Sequence, residues 1–253
     1  MYLTYLDSNS WLIEIGQQTI LLDPWLVGDL IFGNAPWLFT LKRQQQRSIP
    51  EHIDLILLSQ GLEDHAHTPT LEQLDHSLPV VASPNAAKVV KKLGYSQITS
   101  LKHGETFTFA NQIEIKAVPG SPIGPTLVEN GYLIKNLAAN QTIYYEPHGF
   151  HSSTLQGETP IDVVITPLTD IKIPLVGPVI KGGKSALQVS QWLQPQVILP
   201  TAGGGDIEYS GILASILRNQ GSVAEFNTML KANNLDTKVI DPQPGKRFEV
   251  PLN

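Results

Sequence analysis

Residues 55–67 read Leu-Ile-Leu-Leu-Ser-Gln-Gly-Leu-Glu-Asp-His-Ala-His, an aliphatic run that passes directly into a polar turn carrying Asp64, His65 and His67. A carboxylate and two imidazoles this close together can perform general acid–base chemistry or supply metal ligands, because imidazole nitrogen and carboxylate oxygen both suit zinc and iron. A second polar turn, Glu146-Pro147-His148-Gly149, follows the apolar run at 142–145, with His151 just beyond it. All 7 histidines lie between His52 and His151, so the last hundred residues contribute no imidazole. The absence of cysteine removes thiolate metal sites, disulfides and a cysteine nucleophile. No serine sits in a Gly-x-Ser-x-Gly elbow. Gly183-Lys184-Ser185 lacks the upstream glycine of a phosphate loop, since Pro178 stands there, although amides at a helix start near Ser185 could attract an anion.

These turns need strands to hold them. Runs rich in Ile, Val and Tyr at 12–15, 19–22, 55–58, 113–118, 132–134, 142–145, 163–165, 197–199 and 237–240 predict strands. Ser83 with Pro84 predicts a helix start and Gly94 its stop, while Ser185/Gln188 and Ser222/Glu225 have capping-box spacing. Hairpins dominate the first half and helices interleave with strands later, the pattern of a layered α/β or α+β domain. No repeat or linker divides the chain, so residues 1–253 are expected to form one domain. Residues 26–50 interrupt the pattern with an aromatic-rich insertion, and Phe32 and Trp37 within it, with Trp25 just before it, are candidates for contacting a small-molecule ligand. That segment also suggests a contact between identical subunits, or, through Lys42, Arg43 and Arg47, a membrane surface.

Composition narrows the partners. A net charge of -6 argues against nucleic acid, whose phosphates are bound by clustered cations. A hydrophobic content of 42% with 16% charged residues describes a globular chain. No run of about 18 apolar residues exists, so no integral membrane association is expected. The first fifteen residues do not read as a signal peptide, and a cytoplasmic location is expected.

The turn after residues 55–58 resembles the His-x-His-x-Asp-His motif of the metallo-β-lactamase superfamily, with Gln60, Leu62, Asp64 and His65 on its four ligand positions. Further pieces resemble that family in the same order: Leu21-Leu22-Asp23-Pro24-Trp25 its early aspartate strand, Ala117-Val118-Pro119-Gly120-Ser121 the strand before its third histidine, Gly131-Tyr132-Leu133-Ile134 with Thr142-Ile143-Tyr144-Tyr145 the hairpin before its bridging aspartate, and Leu199-Pro200-Thr201-Ala202 the strand before its last histidine. The order is closest to the ascorbate-6-phosphate lactonase-like branch. The resemblance implies a four-layer αββα sandwich and a two-metal hydrolytic centre.

Against that pattern the ligands are depleted. Gln60 is a poor donor, Leu62 has no lone pair, Pro122 stands near the third histidine position, and Thr201 or Ala202 occupies the last. Asp64 and His65 remain, and His148 or Glu146 falls near the bridging position. The resemblance therefore implies either no cofactor or a single divalent ion, zinc or iron, on Asp64, His65 and His148, with Glu146, His67 and His151 as further candidates. Two functions follow: a lactonase-like or esterase-like hydrolase with one metal, in which Asp64 and His65 are catalytic, or a ligand-binding or scaffold protein that kept the fold and lost hydrolysis.

Overall fold

The computed structural model describes residues 1–253 except Pro125, Thr159, Val176 and Gly204. The chain divides into two compact units, the first made of Met1–Lys102, Gly204–Ile216 and Gln243–Glu249, the second of His103–Gly203, Leu217–Pro242 and Val250–Asn253.

The first unit is built on a seven-stranded sheet in the order Arg247–Glu249, Tyr2–Tyr5, Trp11–Ile15, Gln18–Leu22, Leu55–Leu58, Val80–Ala82, Ile98–Ser100. Pairing is antiparallel through the two early hairpins and parallel from Gln18–Leu22 onward. Trp11, Ile13 and Ile15 alternate inward along their strand, whereas all four residues of Leu55–Leu58 are buried, as a central parallel strand requires. Helix Pro84–Lys92 packs Ala86 and Val90 into a core with Leu21, Ile56, Leu58 and Val80. Its punctuation is the expected one, with Ser83 Oγ accepting from Ala86 N at 3.2 Å and Gly94 at φ +88° after its end.

The insertion also belongs to this unit. Thr40–Arg43 pairs with Leu30–Ile31 on one side and Ile207–Ser210 on the other in a small sheet, and Trp25, Leu30 and Leu41 form its core. Phe32 stacks on Phe39 at 5.3 Å and Phe39 on Tyr209 at 6.1 Å. A buried ion network ties the segment down: Asp7 accepts from Arg47 Nε at 2.9 Å and lies 3.5 Å from Arg43 Nε, and Arg47 reaches Asp206 at 3.2 Å. Arg43 also stacks over the Trp25 ring at 3.9 Å and donates to the carbonyls of Leu26 and Trp25. With Arg43 and Arg47 consumed in this way, only Lys42 of the expected basic trio is exposed, and it pairs with Asp29 at 3.3 Å. Of the basic support for membrane-surface binding, only Lys42 is left at the surface.

The second unit repeats the plan. Its seven-stranded sheet runs Lys238–Val239, Val197–Leu199, Val163–Ile165, Gln141–Tyr145, Leu127–Asn136, Ile113–Ile123, Thr106–Phe109, parallel at the first end and antiparallel at the other. Helices Gly183–Leu193 and Val223–Ala232 cover one face through Ala186, Val189, Leu193, Phe226 and Leu230. Ser222 caps the second of these, accepting from Glu225 N at 3.1 Å. Ser222→Ala is expected to cost about 1 kcal/mol in urea unfolding, with no change in slope. The Ser185/Gln188 box does not form, because the helix begins earlier: Gly182 is its N-cap and Ser185 lies within the first turn. Its hydroxyl instead donates to Gly149 O at 2.5 Å.

All nine expected strands coincide with observed ones. The strands not expected include Thr106–Phe109, which alternates between exposed and half-buried residues, Arg218–Gln220, which is exposed throughout, and the short buried strand Val80–Ala82.

Candidate functional site

Two neighbouring parallel strands deliver Asp23 and the turn that carries Asp64 and His65. Leu22 pairs with Leu57, so Asp23 and Ser59 emerge side by side at the same sheet edge. Asp23 is fully buried and accepts from Ser59 N at 2.7 Å and Ser59 Oγ at 2.5 Å. The turn then winds back, with His65 N and Ala66 N both donating to Leu62 O. Gly61 is required in it, since a Cβ would stand 2.9 Å from Asn85 Nδ2 and 3.1 Å from the Asn85 carbonyl carbon.

This winding buries His65 completely between two carboxylates, with Nδ1 2.7 Å from Asp23 Oδ2 and Nε2 3.2 Å from Asp64 Oδ2. Asn9 Nδ2 donates to Asp64 Oδ2 at 3.1 Å. Burial works against a charge on His65, but the nearby carboxylates of Asp64 and Asp23 outweigh it and raise the imidazole to about 10. His67, two residues on, belongs to different surroundings. Its Nδ1 lies 2.9 Å from Thr70 Oγ1 and its Nε2 3.3 Å from Asp29 O, and burial, with Arg43 assisting, lowers it to about 4. His67 is thus a neutral brace between the insertion and the helix Thr68–Leu71.

In the second unit His148 leaves the Gln141–Tyr145 strand by way of Glu146 and Pro147. Its Nδ1 is 2.9 Å from Ser121 Oγ. Glu146 folds back over its own turn, its Oε2 accepting from His148 N at 3.2 Å and Phe150 N at 2.6 Å. His151 turns to Tyr144, with Nδ1 3.0 Å from the hydroxyl.

The positions read as lost ligands lie in different surroundings. Gln60 and Ala202 are buried, Leu62 is half-buried and Pro122 is exposed; none offers an imidazole or carboxylate. Of the aromatic candidates, Trp25 is fully buried beneath Arg43 and Phe32 is half-buried, whereas Trp37 is 68% exposed. Sequence reasoning missed Asn9 and Ser59, which bind Asp64 and Asp23 from a turn and a strand end, and Ser121 as the partner of His148. Small polar residues in turns carry no signal that separates such roles from ordinary turn formation.

The facing donor atoms of Asp64 and His65 can share one ion. Asp64 Oδ2 and His65 Nε2, 3.2 Å apart, have the separation of two ligands about 2.0–2.1 Å from a shared tetrahedral ion. His65 Nδ1 on Asp23 matches the carboxylate partner that orients metal-bound imidazoles.

The family profile described as the β-lactamase superfamily domain matches residues 2–202. The chain belongs to that superfamily. Its fold is accordingly the mixed α/β metallo-β-lactamase type, as the order of motifs implies. Solved structures of similar fold include Igni18, a metallo hydrolase from the archaeon Ignicoccus hospitalis, at 17% identity, 99% of each chain and TM-score 0.69. The isothiocyanate hydrolase from Delia radicum gut bacteria gives the same identity, coverage and score. CmlA, a diiron β-hydroxylase from Streptomyces venezuelae, is 14% identical over 98% of this chain and 54% of its own, with TM-score 0.69. No curated protein matches the chain. At these identities the likeness to the superfamily's structures is one of fold, and activity has to be argued from this chain's own residues. No helix among the described residues is long and apolar enough to cross a membrane.

Proposed function

We propose that this superfamily member holds a single divalent ion, zinc or iron, on Asp64, His65 and His148, and acts as a hydrolase of lactonase or esterase type from the ascorbate-6-phosphate lactonase-like branch. The observation that carries this reading is the facing pair Asp64 Oδ2 and His65 Nε2 at 3.2 Å, with the second imidazole nitrogen held by Asp23. One metal, when bound, supplies Lewis acidity toward a carbonyl or phosphoryl oxygen and activates water. The chain's own part is positional. Asp23 and Ser59 fix the plane and tautomer of His65, Asn9 orients the Asp64 carboxylate, and Ser121 sets the rotation of His148. With Gln60 and Leu62 in place of two imidazoles, the first metal of the family's pair has no grip here.

A second reading rests on the same contacts. Held between two carboxylates and raised to about 10, His65 is an imidazolium in metal-free protein, and an imidazolium does not coordinate. In that state Asp23, His65 and Asp64 form a structural latch on a ligand-binding protein without hydrolytic activity. Elemental analysis of protein purified without chelator separates the two. About one zinc or iron per chain, lost in Asp64→Ala with fold retained by circular dichroism, is the expected result. Metal-free wild type, or equal metal in the variant, removes the hydrolase and leaves the latch.

A further inference from the structure

A groove of about 410 Å³ follows one edge of the first unit's seven-stranded sheet, between helix Pro84–Lys92 and strand Ile98–Ser100. Ala87, Lys88 and Lys91 line it from the helix, and Ile98 and Ser100 from the strand. The buried Tyr95 also lines it and is held fast, its phenol donating to Leu71 O at 2.8 Å and its ring stacked on His76 at 4.6 Å.

The strand side of this groove has unfinished pairing. Ile98–Ser100 ends the sheet, with Val80–Ala82 its one neighbour. Val80 N donates to Gln97 O at 2.8 Å and Leu101 N to Ala82 O at 2.9 Å. Backbone groups of successive residues point to opposite sides of a strand, so Gln97, Thr99 and Leu101 face Val80–Ala82, while Ile98 and Ser100 turn their N–H and C=O to the open edge. The edge strand itself carries no charge and no proline, the residues that usually discourage a further strand from adding there.

The helix side supplies charge. Lys88 and Lys91 are exposed, and among the described residues neither has an ion-pair partner. No acidic residue lines the groove with them, although the chain as a whole carries a net charge of -6. Three residues apart on a helix, they rise about 4.5 Å along its axis, and side chains of their length reach carboxylates about 6.6 Å apart, the spacing of alternate residues in an extended chain. A free anion would satisfy the lysines alone. An extended polypeptide also offers the alternating carbonyls and amides that Ile98 and Ser100 call for.

We propose that this groove takes an acidic peptide segment of a partner protein, which adds as a strand to Ile98–Ser100 and directs the carboxylates of alternate residues to Lys88 and Lys91. None of the candidate metal ligands lines the groove, so this proposal and the hydrolase reading stand or fall separately. The test is an NMR titration of the full chain with a capped peptide, acetyl-Val-Glu-Val-Glu-Val-amide. Saturable shifts of the Ile98 and Ser100 amides are expected, with slower exchange of both amide hydrogens. The double variant Lys88→Met, Lys91→Met should weaken binding about five- to tenfold at low salt, whereas Lys92→Met, at an exposed lysine of the same helix that does not line the groove, should not. The peptide with lysine in place of glutamate, and the acidic peptide N-methylated along its whole backbone, should each bind at least about tenfold more weakly. Unmoved Ile98 and Ser100 amides overturn the proposal. Equal binding of the charge-reversed or the N-methylated peptide also overturns it, as does an equal loss in Lys92→Met, which would reduce the effect to general charge. Protection of the same two amides in peptide-free protein that grows with protein concentration would make the occupant a second copy of this chain and overturns it as well.

Discussion

Asp7→Ala is expected to lower the unfolding free energy by about 3–5 kcal/mol, the cost of leaving buried cations without their counter-charge. Asp7 has no exposed surface, and Arg43 and Arg47 expose 3% and 8% of their side chains. Burial already pulls Arg43 down to about 10, with Asp7 the group that opposes it. Without Asp7, Arg43 keeps carbonyl acceptors and the Trp25 face but has no anion, and Arg47 keeps only Asp206. The carboxylate also accepts from Asp206 N at 3.0 Å, so the segment that pairs with the insertion loses its anchor. Urea unfolding measures the loss directly, and the melting temperature should fall by roughly 10 °C. A loss below about 1 kcal/mol would mean that water enters the network and that the insertion is not clamped as described. The clamp bears on function, because it makes residues 26–50 an ordered part of the first unit.

Asp23→Ala should be comparably damaging, at about 3–5 kcal/mol, for a different reason. This carboxylate accepts from Ser59 N, Ser59 Oγ and His65 Nδ1, all with no access to solvent. Its removal orphans a backbone amide and frees the imidazole to rotate. Asp23→Asn keeps an oxygen for Ser59 N and loses the charge, so it should recover roughly half of the stability. The His65 ring resonances report the second consequence. In wild type one tautomer or the doubly protonated ring is expected, and in Asp23→Ala an averaged ring. Where a metal is present, its affinity should also fall by about 10–100-fold, as is usual when the carboxylate behind a metal-bound imidazole is lost. Unchanged stability together with unchanged His65 resonances would show that Asp23 is not the group that holds this ring.

Much of the scaffold was legible because it depends on local pattern. The aliphatic run at 55–58 announces a central strand whatever surrounds it, and Ser83 with Pro84 or Ser222 with Glu225 caps a helix through bonds spanning three residues. That Leu62 cannot coordinate an ion was equally legible, since an aliphatic side chain has no lone pair in any conformation. The small sheet of the insertion was not, because its third strand lies at Ile207–Ser210, far along the chain.

What the sequence determined by itself is therefore the strand and helix order, the family it resembles and the residue types at the motif positions, all of which follow from residue type and short-range spacing. Which polar groups meet was decided only by the tertiary structure: that His65 faces both Asp23 and Asp64, that His67 turns to Thr70, that Arg43 and Arg47 converge on Asp7, and that Lys88 and Lys91 border the open edge of Ile98–Ser100. The physical reason is that a hydrogen bond or ion pair is won or lost over about an ångström, and such distances are set by strand register and burial across forty residues or more, which no short window of sequence contains.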